Sequence, residues 1–299
     1  MAGNSFYGYG TNNRPAQLTI NNNRNQRVFY GTSQLFVVKR GQNVVAEDVT
    51  ANLFMGEDTL YHPDVNFRVD MNTDKPEIGG IIHLTRGTKG TEKNPFYSTY
   101  YKMNLSTDKV AWFLNKDSLE IGSRLNTAKG VELTAAFESN EYYSRREYDK
   151  MQMIADKNPI STLYILYLER GQDTISDNDF AQVINSKFDY SSIQSLLAQM
   201  AADGFINYNF DRHQMIVRPK LKHYALASQG KKDFDNIRIL STSTNTNAQL
   251  NLKNRETKIN EVNKVELSLR QRVAFIPYER QMTLIKNRNV RFNGRLFAG

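Results

Sequence analysis

The chain has 299 residues, 39% hydrophobic and 11% aromatic, with 39 Lys and Arg against 31 Asp and Glu for a net charge of +8. That length suits about two domains at roughly 150 residues each, and the mix is too apolar and aromatic for a disordered chain. The absence of cysteine excludes disulfide frameworks, thiolate metal sites and Cys nucleophiles. No apolar run approaches the roughly 18 residues that span a bilayer, and the polar, Gly-rich opening MAGNSFYGYGTNN is not a signal peptide. Basic residues are scattered, the longest runs being pairs such as Arg145-Arg146 and Lys231-Lys232, which reads as a solvated surface rather than a nucleic-acid arm.

From Gln17 to Phe137 the pattern is strands and turns. Apolar and polar residues alternate in Val65-Asn66-Phe67-Arg68-Val69-Asp70-Met71 and in Val131-Glu132-Leu133-Thr134-Ala135. Shorter runs fall at 34–38, 49–54, 81–84 and 109–114, and the period of two is that of half-buried strands. Turn residues punctuate them at Arg40-Gly41-Gln42-Asn43, Gly56-Glu57-Asp58, Asn72-Thr73-Asp74 and Gly87-Thr88-Lys89-Gly90. Short strands at imperfect spacing, with no helix between them, fit a sandwich, a barrel or an irregular β-solenoid.

At Ser139 the character changes. A charged helical stretch is expected to about Asp156, with Ser139 as its N-cap. Asn158-Pro159 starts a second helix, with Pro where its missing N–H costs nothing; Ile160, Leu163, Tyr164 and Tyr167 form its apolar stripe and Gly171 ends it. A third helix follows Ser176, with Asp179 three residues on and Phe180, Val183 and Ile184 as its buried face. The fourth is capped by Asp189, buries Ile193, Leu196, Leu197 and Met200, and ends at Gly204. Phe205 to Phe210, the polar turn Asp211-Arg212-His213-Gln214 and Met215 to Arg218 then read as a β-hairpin, and Leu221 to Ser228 as another short helix closing on Gly230. Three helices followed by a hairpin is the order of a winged helix-turn-helix.

After Lys231 strands return at 237–240, 249–252, 264–269, 273–276 and 282–285, and alternation persists to Leu296, as expected of a piece cut from a longer protein. The fold class read from this is mainly β α+β: an irregular β-solenoid or stacked-sheet body with an inserted winged-helix-like helical module. The expected divisions are a β segment over 1–138, the helical insertion over 139–230, and a β segment over 231–299 that continues the first.

Phrases in the chain resemble a family of large, uncharacterised β-rich envelope proteins of the Bacteroidota. They are Asp58-Thr59-Leu60-Tyr61-His62-Pro63 with the strand to Asp70, Asn94-Pro95-Phe96-Tyr97, and Phe137-Glu138-Ser139-Asn140-Glu141-Tyr142-Tyr143. The Gly204-Phe205-Ile206 hairpin, Arg218-Pro219-Lys220-Leu221 and Phe292-Asn293-Gly294 complete the set. The resemblance covers most of the chain from about Gln34. It implies an exported, scaffold-like protein of the periplasm or outer membrane and brings no active-site residues with it. It also draws notice to Asp58-Thr59-Leu60, Asp117-Ser118-Leu119 and Asp173-Thr174-Ile175, which look like O-glycosylation acceptors of such proteins.

A winged helix suggests DNA binding. The recognition helix would be 191–202, presenting Ser191, Ser192, Gln194, Ser195 and Gln199, yet no Lys or Arg lies between Tyr190 and Gly204, and Asp189 and Asp203 flank it. Phosphate contacts normally supply most of the affinity, so DNA is disfavoured and a protein partner preferred. The candidate interaction surface is the basic set Arg212, His213, Arg218, Lys220 and Lys222 with the aromatic cluster Tyr97, Tyr100 and Tyr101 beside Lys93 and Lys102. A glycan-binding or glycan-active protein is the other alternative, with Glu57, Asp58, Asp64 and Asp70 as candidate carboxylates. Glu57 and Asp58 read as an exposed turn.

His62, His83, His213 and His223 show no metal-ligand spacing, and Gly87-Thr88-Lys89-Gly90-Thr91 lacks the phosphate-loop pattern. His62 reads as a strand-end residue and Trp112 as core. No cofactor, metal or catalytic constellation is expected. The function expected is a non-enzymatic structural or protein-interaction segment of a larger bacterial envelope protein.

Overall fold

The computed structural model describes residues 5–11, 13–39, 42–71, 79–88, 90–125, 127–152, 157–268 and 272–298. The turns expected at Arg40-Gly41 and Asn72-Thr73-Asp74, Lys89, the end of the first helical stretch (153–156) and Leu269 lie outside them.

One long hairpin organises the β body. Strand Asn43–Met55 and strand Asp58–Met71 pair from Asn43↔Asp70 to Met55↔Asp58, around the tight turn Gly56-Glu57, where Gly56 supplies a φ of 75°. The ladder is broken by bulges between Ala46 and Val49 and between Val49 and Ala51. Pro63, which has no N–H to give, sits opposite this irregular stretch, and Asp48 adopts a φ of 50°. The bulges leave two unlike halves to the hairpin, and each half recruits different neighbours.

At the open end, Val37–Lys39 pair with one long strand and Gly80–Thr85 with the other. From there the ladder runs through Lys109–Phe113, Ser118–Ile121, Ala248–Asn251, Glu256–Ile259 and Met282–Leu284. At the turn end, Arg27–Ser33 and Phe96–Ser98 flank the hairpin. That branch continues through Met103–Thr107, Leu133–Ser139, Asn236–Ser243, Val262–Ser268 and Arg272–Pro277. Both branches bury side chains in one core: Phe36, Ile82 and Leu119 come from the first, and Phe29, Phe137 and Ile239 from the second.

Every ladder among the described residues is antiparallel, and neither a solenoid nor a closed barrel is present there. This corrects the solenoid reading. The alternation was real, but short turns send the chain back beside itself, whereas a solenoid needs coils stacked in parallel. His62 is corrected too: it lies within Asp58–Met71, fully buried, and not at a strand end.

Five α-helices lie among the described residues: α1 (Arg145–Gln152), α2 (Pro159–Arg170), α3 (Asp177–Ile184), α4 (Gln194–Ala202) and α5 (Pro219–Ser228). Asn158 caps α2, its Oδ1 accepting from Ile160 N at 3.0 Å, and Gly171 closes it at φ 64°. Ser176 caps α3. Asp189 caps a short 3-10 turn, Tyr190–Ile193, that leads into α4. A small sheet pairs Gln214–Val217 with both Thr174–Ser176 and Ile206–Asn209. Strand Thr174–Ser176, three residues long, was too short to carry a periodic signal.

Two expectations fail here. Ser139 caps no helix; it ends a strand, and Ser144 Oγ instead accepts from Glu147 N. Val183 faces out of α3, while Phe180, Ala181 and Ile184 face in. The helices and small sheet enclose a second core built from residues 142–227, with Leu163, Leu197, Tyr208 and Tyr224 fully buried.

Candidate functional site

The helical module is fastened to the hairpin through segment 90–97. Asn94, wholly buried, donates its amide hydrogens to Ala201 O at 2.8 Å, Ile206 O at 2.9 Å and Tyr97 Oη at 3.2 Å. The first two carbonyls belong to the end of α4 and the start of the hairpin after it. Asn94 O in turn takes a hydrogen bond from His62 Nε2 at 2.7 Å, and His62 Nδ1 accepts from Asp64 N at 3.0 Å. Both ring nitrogens are thus used with the imidazole neutral, and burial holds its pKa down to about 3. Thr91 Oγ1 donates to Tyr208 O.

The basic candidates are mostly committed within the chain. Lys220 is buried, with Nζ 2.6 Å from Glu138 Oε1 and over the rings of Phe205 and Tyr224. Arg218 lays its guanidinium 3.9 Å above the Tyr97 ring, beside Tyr61, whose ring stacks on Tyr97 at 6.0 Å. Lys222 pairs with Asp173 at 2.8 Å and covers Tyr167. His213 Nδ1 lies 3.0 Å from Asp177 Oδ2, which also receives the Tyr208 hydroxyl at 2.7 Å. Arg212 is exposed at the tip of the turn.

The aromatic cluster does not form a surface. Tyr100 and Tyr101 are 3% and 1% exposed, Tyr101 hydroxyl to hydroxyl with Thr257 and Tyr100 donating to Arg255 O at 2.6 Å. Alternation alone could not place them, because they lie in the turn between strands Phe96–Ser98 and Met103–Thr107. The expectation of one shared basic and aromatic surface is therefore corrected: Lys220, Tyr100 and Tyr101 are interior, Tyr97 is half-buried under Arg218, and Arg212 and His213 stay outermost.

The four candidate carboxylates are not brought together. Asp58 and Asp70 stand at opposite ends of one strand and pair with Lys286 at 3.0 Å and Arg68 at 2.7 Å, and Glu57 is exposed in the turn. Asp64 instead meets residues that sequence reasoning passed over. It lines a cleft of about 1350 Å³ between the hairpin and the 209–212 turn, together with Asp48 and Glu92. Burial, then Asp48, then Glu92, pushes its carboxyl up to about 6. Asp48 is raised for the same first reason. Asp48 sits in the bulge and Glu92 on the 3-10 turn Gly90–Lys93, so no local pattern signals that these carboxyls meet Asp64.

On α4, Gln194, Ser195 and Gln199 are exposed, as are Ser191 and Ser192 before it. Among the described residues no helix is long and apolar enough to cross a membrane. Fold and site define a mainly β α+β protein, a large antiparallel sheet carrying five helices. Compared with family models, with curated proteins and with solved structures, the chain matches none.

Proposed function

We propose that the chain is a non-enzymatic, protein-interaction segment of a larger bacterial envelope protein, in which residues 139–230 form a winged helix mounted on the β body. The order α2, strand, α3, α4, hairpin, with the first strand joining the hairpin's sheet, is the order of that module. The observation that carries a protein partner over DNA is the fate of the cations. Lys220 and Lys222 are ion-paired with Glu138 and Asp173, Arg218 lies half-buried on Tyr97 with its Nε closed off from solvent, and the exposed face of α4 presents only Ser and Gln. DNA affinity rests largely on free Lys and Arg. The envelope location rests on the family resemblance.

Two measurements test this. Titrating the protein with duplex DNA across a salt series should give weak binding with a shallow salt slope. A steep slope with saturable binding at physiological salt would make the module a DNA reader. Fractionation of the native protein with protease accessibility on intact cells should place it in the envelope, and recovery in the cytoplasm would sink that half of the reading.

A further inference from the structure

A groove of about 840 Å³ opens on the β body, with none of the described residues of 139–230 in its walls. Its floor is apolar: Trp112, Met55, Leu250 and the ring of Tyr100. Its rim is cationic. Arg24, Arg27 and Arg255 all face it, and none of the three guanidinium groups forms an ion pair among the described residues. Arg27 stacks 4.2 Å over the Phe54 ring, an arrangement that leaves a guanidinium's N–H edges free to meet an oxygen. Asp117, the one carboxylate among the described lining residues, is answered by Lys253 at 3.5 Å.

The walls are held in place before any ligand arrives. Asn22 Oδ1 accepts from Arg24 N at 2.9 Å and from Gln26 N at 3.0 Å, which fixes the turn carrying Arg24. Asn23 Nδ2 reaches across to Asn115 Oδ1 at 3.0 Å and ties that turn to the opposite wall. Asn251 Oδ1 accepts from Lys253 N, and Tyr100 Oη donates to Arg255 O, so the turn bearing Arg255 is set from both sides. Preorganised walls reduce the ordering cost of binding, and the volume is that of a small-ligand site.

We propose that this groove binds an acidic oligosaccharide, a short sugar chain bearing carboxylates. Guanidinium forks suit carboxylates, and the carboxamides of Asn23 and Gln26 along the same walls suit sugar hydroxyls, since an amide has two donor hydrogens and two acceptor lone pairs and so keeps capacity beyond its one bond to Asn115 or Asn22. An acidic peptide is the poorer fit. The strands beneath, Arg27–Ser33, Lys109–Phe113 and Ala248–Asn251, are each paired on both sides, which leaves no edge for a peptide backbone to join. A single-stranded nucleic acid needs exposed rings for its bases, and Trp112 and Tyr100 are floor residues only 5% and 3% exposed.

Trp112 is the only tryptophan in the chain, so its emission reports this site alone. The experiment is a fluorescence and calorimetric titration of the full chain with trigalacturonate, its neutral methyl ester and a hexaglutamate peptide. Trigalacturonate should shift Trp112 emission and bind roughly tenfold or more tighter than the other two, with affinity falling as salt rises. The double variant Arg24→Gln, Arg255→Asn changes two exposed turn residues. It should melt like the parent and lose roughly tenfold in affinity, the scale of a lost charge-assisted contact. Equal binding of the methyl ester, equal binding of hexaglutamate, full affinity in a folded variant, or no heat and no emission change with trigalacturonate would each overturn the proposal. None of these outcomes touches the reading of the helical module, which has its own tests.

Discussion

His62 and Asp64 stand two residues apart and burial moves them in opposite directions. His62 is held at about 3, below the roughly 6.5 of an unfolded histidine. Its contribution to stability is complete above the unfolded value and is lost as pH falls toward the folded one. Asp64 is pushed up to about 6, above the roughly 3.9 of an unfolded aspartate, and its Oδ1 is buried with no hydrogen-bond partner. Its contribution is complete below the unfolded value and is lost as pH rises through about 6. Asp64→Asn removes that loss. By calorimetry the variant should melt a few degrees above the parent at pH near 8 and level with it near 4. An equal gain at both pH values would mean the carboxyl is not held neutral in the fold. Neither residue's role was legible locally. His62 is held by Asn94, 32 positions on, and Asp64 responds to burial, to Asp48 in the bulge and to Glu92 on the 3-10 turn Gly90–Lys93.

At the scale of elements, the caps separate what is local from what is not. Asn158, Gly171, Ser176, Asp189 and Gly204 act where sequence rules place them, because a cap's partners lie within a few residues. Ser139 fails because the preceding strand claims it. Its hydroxyl donates to Asp235 O across the neck of the helical module. Gly171 and Gly204 look alike in sequence and both have positive φ, yet they face different surroundings. A Cβ on Gly171 would meet nothing within 4 Å, whereas one on Gly204 would come 3.0 Å from Pro95 Cγ, where the module meets the hairpin. Gly171→Ala should cost about 1 kcal/mol of backbone strain. Gly204→Ala should cost roughly 2 kcal/mol or more, since α4 and segment 90–95 must also shift. Urea denaturation of the two variants decides it, and equal losses would show that the Pro95 contact has slack.

For the whole molecule, the chain leaves the sheet at Ser139 and re-enters beside it at Asn236, with Glu138 and Arg238 paired across the ladder. Among the described residues, none between Phe137 and Ile237 belongs to the body's core or is a hydrophobic packed against it. Replacing 140–235 with a short Gly/Ser linker should therefore leave a cooperatively melting protein with a β circular dichroism spectrum. Its Tm should be lower than the parent's, because Glu138 and Asn94 lose Lys220 and the module's carbonyls. Aggregation, or loss of the β signal, would show that the body depends on the module. Period-two alternation, the helix stripes apart from Val183, the caps apart from Ser139, and the order of three helices and a hairpin were determined by the sequence itself, since each depends on spacing within a few residues. Tertiary structure alone decided that the strands form a branched antiparallel sheet and not a solenoid. It also decided that Lys220, Arg218 and Lys222 are engaged within the molecule while Arg212 and His213 stay outermost, and that Arg24, Arg27 and Arg255 share one groove. Those outcomes follow from pairings such as Lys220 with Glu138, 82 residues apart, and a charge that finds its partner at that distance leaves no mark on its neighbours in the chain.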